Sequence, residues 1–135
     1  MEDLEFYETF SRDVTSGKHE DLSIQDRLPN KINWLVDNEE FSIACDQGLI
    51  AKQFRSNILV IEAPYDLEKN SAYLVTVKGQ LISSIPKKYD CVSLTFYDIL
   101  TSPPYAILLA ASTSGDFQLT IDPRNGTIHK SAPFR

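Results

Sequence analysis

The chain has 135 residues, of which 42% are hydrophobic and 24% charged, and its formal net charge is −6. This length suits one domain spanning residues 1–135, and the composition excludes an intrinsically disordered chain. No apolar run reaches the roughly 18 residues of a membrane-spanning helix, and two cysteines are too few for a disulfide scaffold.

The first residues are acidic, where a signal peptide would be basic. We therefore expect a cytoplasmic protein with reduced thiols and no membrane partner.

The beginning of the chain carries an apolar pattern with intervals of three and four residues. Four residues make up this pattern and would lie along one stripe of a helix: Leu4, Tyr7, Phe10 and Val14. The spacing predicts a helix from about Asp3 to Val14. Its acidic first turn suits the positive end of the helix dipole. We expect its apolar stripe to pack on a sheet.

Residues 18–30 are polar and read as a connection. Two short helices are expected to follow, one capped by Asn30 or Asn33 and one capped by Asn38 that ends at Gly48. Trp34, the only tryptophan, is interpreted as a core anchor. Residues 1–48 are thus predicted to be mainly helical.

From Leu49 onward the pattern becomes extended. Residues 49–54 fit either a short strand or a helix tail. The run from Ile58 to Ile61 is continuously apolar and rich in β-branched residues, which is typical of a buried strand. Alternation from Tyr73 to Val77, followed by Lys78-Gly79, predicts a hairpin that returns through residues 80–85.

The stretch from Tyr89 to Ile121 is the most strongly patterned part of the chain. Residues 92–97 and 117–121 alternate between apolar and polar, as strands with one buried face do. Residues 105–111 are apolar throughout, as expected of a strand covered on both faces. The turn sequence at residues 122–126 then leads into a short terminal strand over residues 127–130.

These elements predict an α+β fold, in which N-terminal helices pack on one face of an antiparallel sheet of about five to seven strands. Residues 49–135 would form mainly that sheet. Its opposite face would carry polar side chains and meet water or a partner. Those side chains are Ser93, Thr95, Tyr97, Gln118 and Thr120.

The sequence contains no catalytic, cofactor-binding or metal-binding signature. It has two histidines, no Cys-x-x-Cys pair and no glycine-rich phosphate loop. Cys91 and His129 could form a thiolate–base pair, but a cysteine beside apolar strand residues is usually inert. The triplet His19-Glu20-Asp21 is more typical of a solvated loop than of a cation site. We therefore expect a protein that is not an enzyme and needs no cofactor.

Acidic residues are concentrated in the first third of the chain. Residues 1–48 hold twelve acids and four bases, a local charge of −8. Such a field disfavours nucleic acid and favours a cationic protein. The leading hypothesis is an inhibitor of the immunity or antitoxin type, which neutralises a cationic partner such as a toxin nuclease domain. The candidate partner-binding residues are Glu2, Asp3, Glu5, Glu8, Glu39 and Glu40.

Two alternatives stay open at this stage. Secretion-type chaperones are also small and acidic, and such a protein would dimerise and expose apolar grooves. A small enzyme or ligand-binding domain would instead need a pocket with convergent polar groups. The inhibitor hypothesis is compatible with a monomer or a homodimer.

Overall fold

The computed structural model describes residues 4–10 and 28–134, and every regular element in these two ranges is a β-strand. Each strand pairs antiparallel with a strand that directly precedes or follows it in the chain. Short turns between consecutive extended segments favour this meander arrangement. Within residues 4–10 and 28–134, no helix has the length and hydropathy for a membrane crossing.

The strands form three larger sheets and one small hairpin. The N-terminal sheet contains β1 (Tyr7–Phe10), β2 (Pro29–Val36) and β3 (Glu39–Ala44). The middle sheet contains β4 (Leu49–Phe54), β5 (Asn57–Glu62), β6 (Ser71–Thr76) and β7 (Leu81–Ser84). The hairpin pairs β8 (Lys88–Tyr89) with β9 (Val92–Ser93). The C-terminal sheet contains β10 (Thr95–Ser102), β11 (Tyr105–Ser112), β12 (Gly115–Ile121) and β13 (Ile128–Pro133).

The middle sheet is covered on both faces. Ile58 and Val60 of β5 join a core cluster with Trp34 of the N-terminal sheet. Leu59 and Ile61, which point the other way, join a second cluster with the C-terminal sheet. All four β5 residues are buried, which explains the continuous apolar run and confirms the predicted buried strand.

The predicted α+β class is wrong, because the elements expected to be helices are strands. In place of helices, the N-terminal sheet packs on one face of the middle sheet. The described part of the predicted helix at residues 3–14 contains β1, and the two predicted short helices correspond to β2 and β3. Val14 lies outside the described residues. The predicted range of five to seven strands is too small, because the described residues contain thirteen strands, ten of them from Leu49 onward.

From Leu4 to Tyr7 the sequence also alternates between half-buried and exposed positions, as a strand does, and this pattern competes with the helical spacing. Leu4 and Phe6 pack into the N-terminal core, whereas Glu5 and Tyr7 between them are exposed. The same alternation continues in β2, where Ile32 and Trp34 are buried. A one-sided sheet satisfies this period of two, because successive side chains point to opposite faces. The intervals of three and four were coincidental.

Trp34 is a core anchor, as predicted. Its side chain is fully buried, its indole Nε1–H donates to the Val77 carbonyl at 2.6 Å, and its ring meets Phe6 edge-on and stacks on Phe41. The hydrogen bond satisfies the one polar atom that this large side chain brings into the core. It also ties the N-terminal sheet to the end of β6.

Strands β11 and β12 lie at their predicted positions, whereas the predicted strand over residues 92–97 is divided between β9 and β10, and the terminal strand extends to Pro133. One face of β11 is less covered than expected. Ala106, Leu108 and Ala110 belong to the core shared with the middle sheet. On the other face, Tyr105 and Ile107 are half-buried. That face is therefore partly open at the Tyr105 end, whereas Leu109 farther along it is buried.

Gly126→Ala is expected to destabilise the fold by roughly 3 kcal/mol. Gly126 has φ +79, and a Cβ there would lie 2.0 Å from Ser83 Oγ and 3.3 Å from Ser83 Cβ. Gly115→Ala is the matched control, because Gly115 also has a positive φ of +110 but no atom within 4 Å of an added Cβ. Urea unfolding compares a variant that has both backbone strain and a steric clash with one that has backbone strain alone. Equal losses would contradict the close approach of Ser83.

Candidate functional site

The outer face of the N-terminal sheet presents a patch in which apolar and acidic side chains are exposed together. We define the outer patch as five residues: Glu5, Tyr7, Asn33, Leu35 and Glu40. Tyr7 and Leu35 are 54% and 53% exposed. Exposed apolar side chains that are neighbours on one face and have a polar rim are typical of interaction surfaces.

Strand register assembles this patch from distant parts of the chain. Tyr7 in β1 lies opposite Asn33 in β2, and Leu35 lies opposite Glu40 in β3. The Tyr7 hydroxyl donates to Glu5 Oε2 at 3.3 Å, and the Asn33 amide donates to Glu40 Oε1 at 3.0 Å. Each hydrogen bond leaves the carboxylate with further acceptor capacity. Because Glu5 precedes β1 and Glu40 lies in β3, the two carboxylates lie on either side of Leu35 in the central strand β2.

The structure brings together some of the predicted partner-binding residues. Glu5 and Glu40 belong to the outer patch, and Glu39 precedes Glu40 at the end of the β2–β3 hairpin. Glu8 is exposed in β1, but it lies opposite the buried Ile32 and so points towards the other face. Glu2 and Asp3 lie outside the described residues.

Among residues 4–10 and 28–134, no cationic side chain forms an ion pair with a carboxylate of the N-terminal sheet. The one ion pair between described residues joins Arg124 to Asp122, in the C-terminal half. Lys52 donates instead to the Ile99 carbonyl, and Lys87 donates to Asn70. The exposed carboxylates of the outer patch are therefore available to a cationic group from outside.

Other candidate chemistry finds little support in the described residues. No group of three or more His, Cys, Asp or Glu side chains in residues 4–10 and 28–134 is placed to hold a metal ion. Cys91 is exposed in the β8–β9 turn, whereas the His129 ring stacks on Tyr105 in the C-terminal sheet. The triplet at residues 19–21 lies outside the described ranges.

The polar face predicted for the C-terminal strands is open only in part. Ser93 is exposed, Thr95, Tyr97 and Gln118 are half-buried, and Thr120 is buried. Thr120 lies opposite Ile107 of β11 and Lys130 of β13. The Tyr97 hydroxyl donates to Asp116 at 2.8 Å, and burial, followed by this carboxylate, raises the pKa of Tyr97 to about 12.

A structurally important residue that the sequence did not single out is Asn70. It is 4% exposed in the β5–β6 connection. Its amide donates to the Phe96 carbonyl at 2.8 Å and accepts from the Phe96 N–H at 2.9 Å. Asn70 thus pairs with β10 as a neighbouring strand residue would. Nothing in its local sequence distinguishes it from an ordinary turn asparagine.

Asp122 and Arg124 form a two-point ion pair in the β12–β13 turn, with Nε–Oδ1 and Nη2–Oδ2 distances of 3.1 and 2.8 Å. These hydrogen bonds lower the pKa of Asp122 from 3.8 to about 2. Because the folded pKa is depressed, the stability that this carboxylate contributes is present above its unfolded pKa and is lost as the pH falls towards 2.

Arg124→Gln is expected to return the pKa of Asp122 towards 3.8, since it removes the charged donor. A carboxyl-carbon NMR titration measures this pKa directly. Lys69→Gln is the control, because the Lys69 contact to Asp66 is made by its backbone N–H. An Asp122 midpoint that stays low in Arg124→Gln would contradict the assigned cause.

Comparison with known proteins supports the fold but does not identify a family. No family model and no curated protein matches the chain. The fold is similar to a chain in a solved structure described as "Structure of Tne2 in complex with Tni2". The TM-score is 0.69 at 15% identity, and the match covers 80% of this chain and 79% of that chain. At this identity the likeness concerns the fold alone.

Proposed function

We propose that this chain is an interaction protein of the immunity or antitoxin type, which binds a cationic protein and blocks it. The observation that carries the proposal is the outer patch, where Glu5 and Glu40 flank exposed Tyr7 and Leu35 and no cation of the described residues pairs with either carboxylate. Charged groups around an apolar centre select a partner of opposite charge and speed its association.

The similar solved structure supports partnering, because it contains two proteins in complex. A fold can carry unrelated functions, so the support for binding comes mainly from the surface itself. The proposed target is a basic toxin domain, such as a nuclease, whose cationic substrate site would accept carboxylates in place of phosphates. No catalytic role is proposed for this chain.

The cytosol is the proposed place of action. Both Cys45 and Cys91 are free, as is usual in a reducing compartment.

Affinity capture from the cells that make the protein tests this proposal. At low salt, the tagged chain is expected to retain a protein with a pI above about 9, and salt is expected to release it. A chain with Glu5→Gln and Glu40→Gln should retain less of that protein. An acidic captured protein, or one retained equally by both chains, would contradict the proposal.

A further inference from the structure

Three cavities meet around Tyr105, where the middle and C-terminal sheets end side by side. Their volumes are about 220, 230 and 450 Å³, and the Tyr105 side chain lines all three. We call the two smaller cavities together the Tyr105 concavity. It lies outside the outer patch and involves none of the predicted partner-binding residues.

The cavity of about 220 Å³ is walled mainly by rings. Phe54 comes from β4, Pro103 and Pro104 come from the β10–β11 turn, and Pro123 follows β12. Together with Tyr105 they form an apolar recess large enough for one aromatic or large aliphatic side chain. Such recesses receive the anchor residues of protein partners.

The neighbouring cavity of about 230 Å³ is cationic. Arg55 and Arg124 line it, and Asp122 is the one acidic residue in its wall. Arg55 is exposed and has no ion pair to a described carboxylate. Arg124 donates to Asp122 through Nε and Nη2, which leaves its Nη1 without an acceptor among the described residues. The cavity therefore carries a net positive charge next to the apolar recess.

The walls of the concavity are fixed by the fold. The Tyr105 ring stacks on His129 at 5.1 Å between ring centroids. Asn57 Nδ2 donates to the Pro123 carbonyl at 2.8 Å, which ties the β12–β13 turn to the middle sheet. Asp122 N–H donates to the Thr127 carbonyl at 2.9 Å. A site held in this way loses little conformational entropy when it binds.

We propose that the Tyr105 concavity binds a protein segment in which an aromatic side chain is next to a carboxylate. The ring would enter the recess between Pro104 and Pro123, and the carboxylate would meet Arg55. Guanidinium groups suit carboxylates because they offer paired donors. The site and the outer patch have opposite charges, so they would contact different parts of a partner, or different partners. This proposal does not depend on the inhibitor function.

Three short peptides test the proposal on the full chain by amide NMR. Acetyl-Glu-Phe-Glu-amide is expected to shift the signals of Arg55, Tyr105 and Arg124. Acetyl-Gln-Phe-Gln-amide lacks the charges and acetyl-Glu-Ala-Glu-amide lacks the ring, so each should bind at least about fivefold more weakly. If the uncharged peptide binds as well as the charged one, or if the shifts lie elsewhere, the proposal is wrong. Failure of all three to bind at about 5 mM would also overturn it.

Variants separate the site from general effects on the fold. Arg55→Gln and Tyr105→Leu are each expected to weaken binding of acetyl-Glu-Phe-Glu-amide about fivefold or more. Lys69→Gln removes an exposed positive charge elsewhere and should leave that affinity unchanged. Thermal unfolding checks that Tyr105→Leu stays folded at the assay temperature. Equal affinities for the Arg55→Gln, Lys69→Gln and unchanged chains would refute the role of Arg55.

Discussion

Asn70→Ala is expected to lower the free energy of unfolding by about 3 kcal/mol, which is a large share of the stability of a domain this size. The variant leaves the N–H and carbonyl of Phe96 without their side-chain partner. Phe96 is fully buried, so water cannot easily replace either bond. An unsatisfied buried polar group costs about 1–3 kcal/mol.

Asn57→Ala is the matched control for this prediction. Asn57 makes the same kind of contact, from Nδ2 to the Pro123 carbonyl at 2.8 Å, but it lies in a half-buried position. Water can reach that carbonyl, so the expected loss is about 1 kcal/mol. Urea unfolding measures both values. If both variants lose a similar free energy of unfolding, burial does not explain how much the Asn70 hydrogen bonds stabilise the fold.

Glu5→Lys combined with Glu40→Lys is expected to weaken binding of the captured cationic partner about 100-fold. The change converts two attractions into two repulsions at opposite sides of exposed Tyr7 and Leu35. Both carboxylates lie on an exposed sheet face, so the fold should tolerate the substitutions with little loss of stability. Isothermal titration calorimetry with the purified partner measures the affinity.

Glu68→Lys combined with Asp90→Lys is the control, since it changes the total charge by the same amount on other exposed positions. Its affinity is expected to stay within about threefold of the unchanged chain. If the two double variants lose equal affinity, the partner responds to net charge and not to the outer patch.

Sequence reasoning predicted the strands of the second half because only one pattern is present there. The run from Ile58 to Ile61 is short and rich in β-branched residues, and the alternation from Phe117 to Ile121 has a period of two, so both favour strands. Near the N-terminus two patterns overlap, since Leu4 is followed by apolar residues at intervals of both two and three. Local spacing cannot decide between them, and tertiary packing on the middle sheet does.

For the candidate site, too, the sequence shows local properties such as charge but does not show which strands pair. The acidic character of the first third is a property of composition and could be counted. The outer patch depends on the pairing of Tyr7 with Asn33 and of Leu35 with Glu40, which is long-range and not encoded by any motif. Asn70 and the Tyr105 concavity were missed for this reason as well. Their partners come from other sheets.

The salt dependence of the dissociation constant is the most direct measure of whether this protein recognises its partner through the outer patch. Between about 50 and 500 mM salt, we expect the complex of the unchanged chain to weaken at least tenfold, because screening acts on its exposed charges. The chain with Glu5→Gln and Glu40→Gln should bind more weakly at low salt and respond less to added salt. Identical salt responses for the two chains would contradict recognition by these carboxylates.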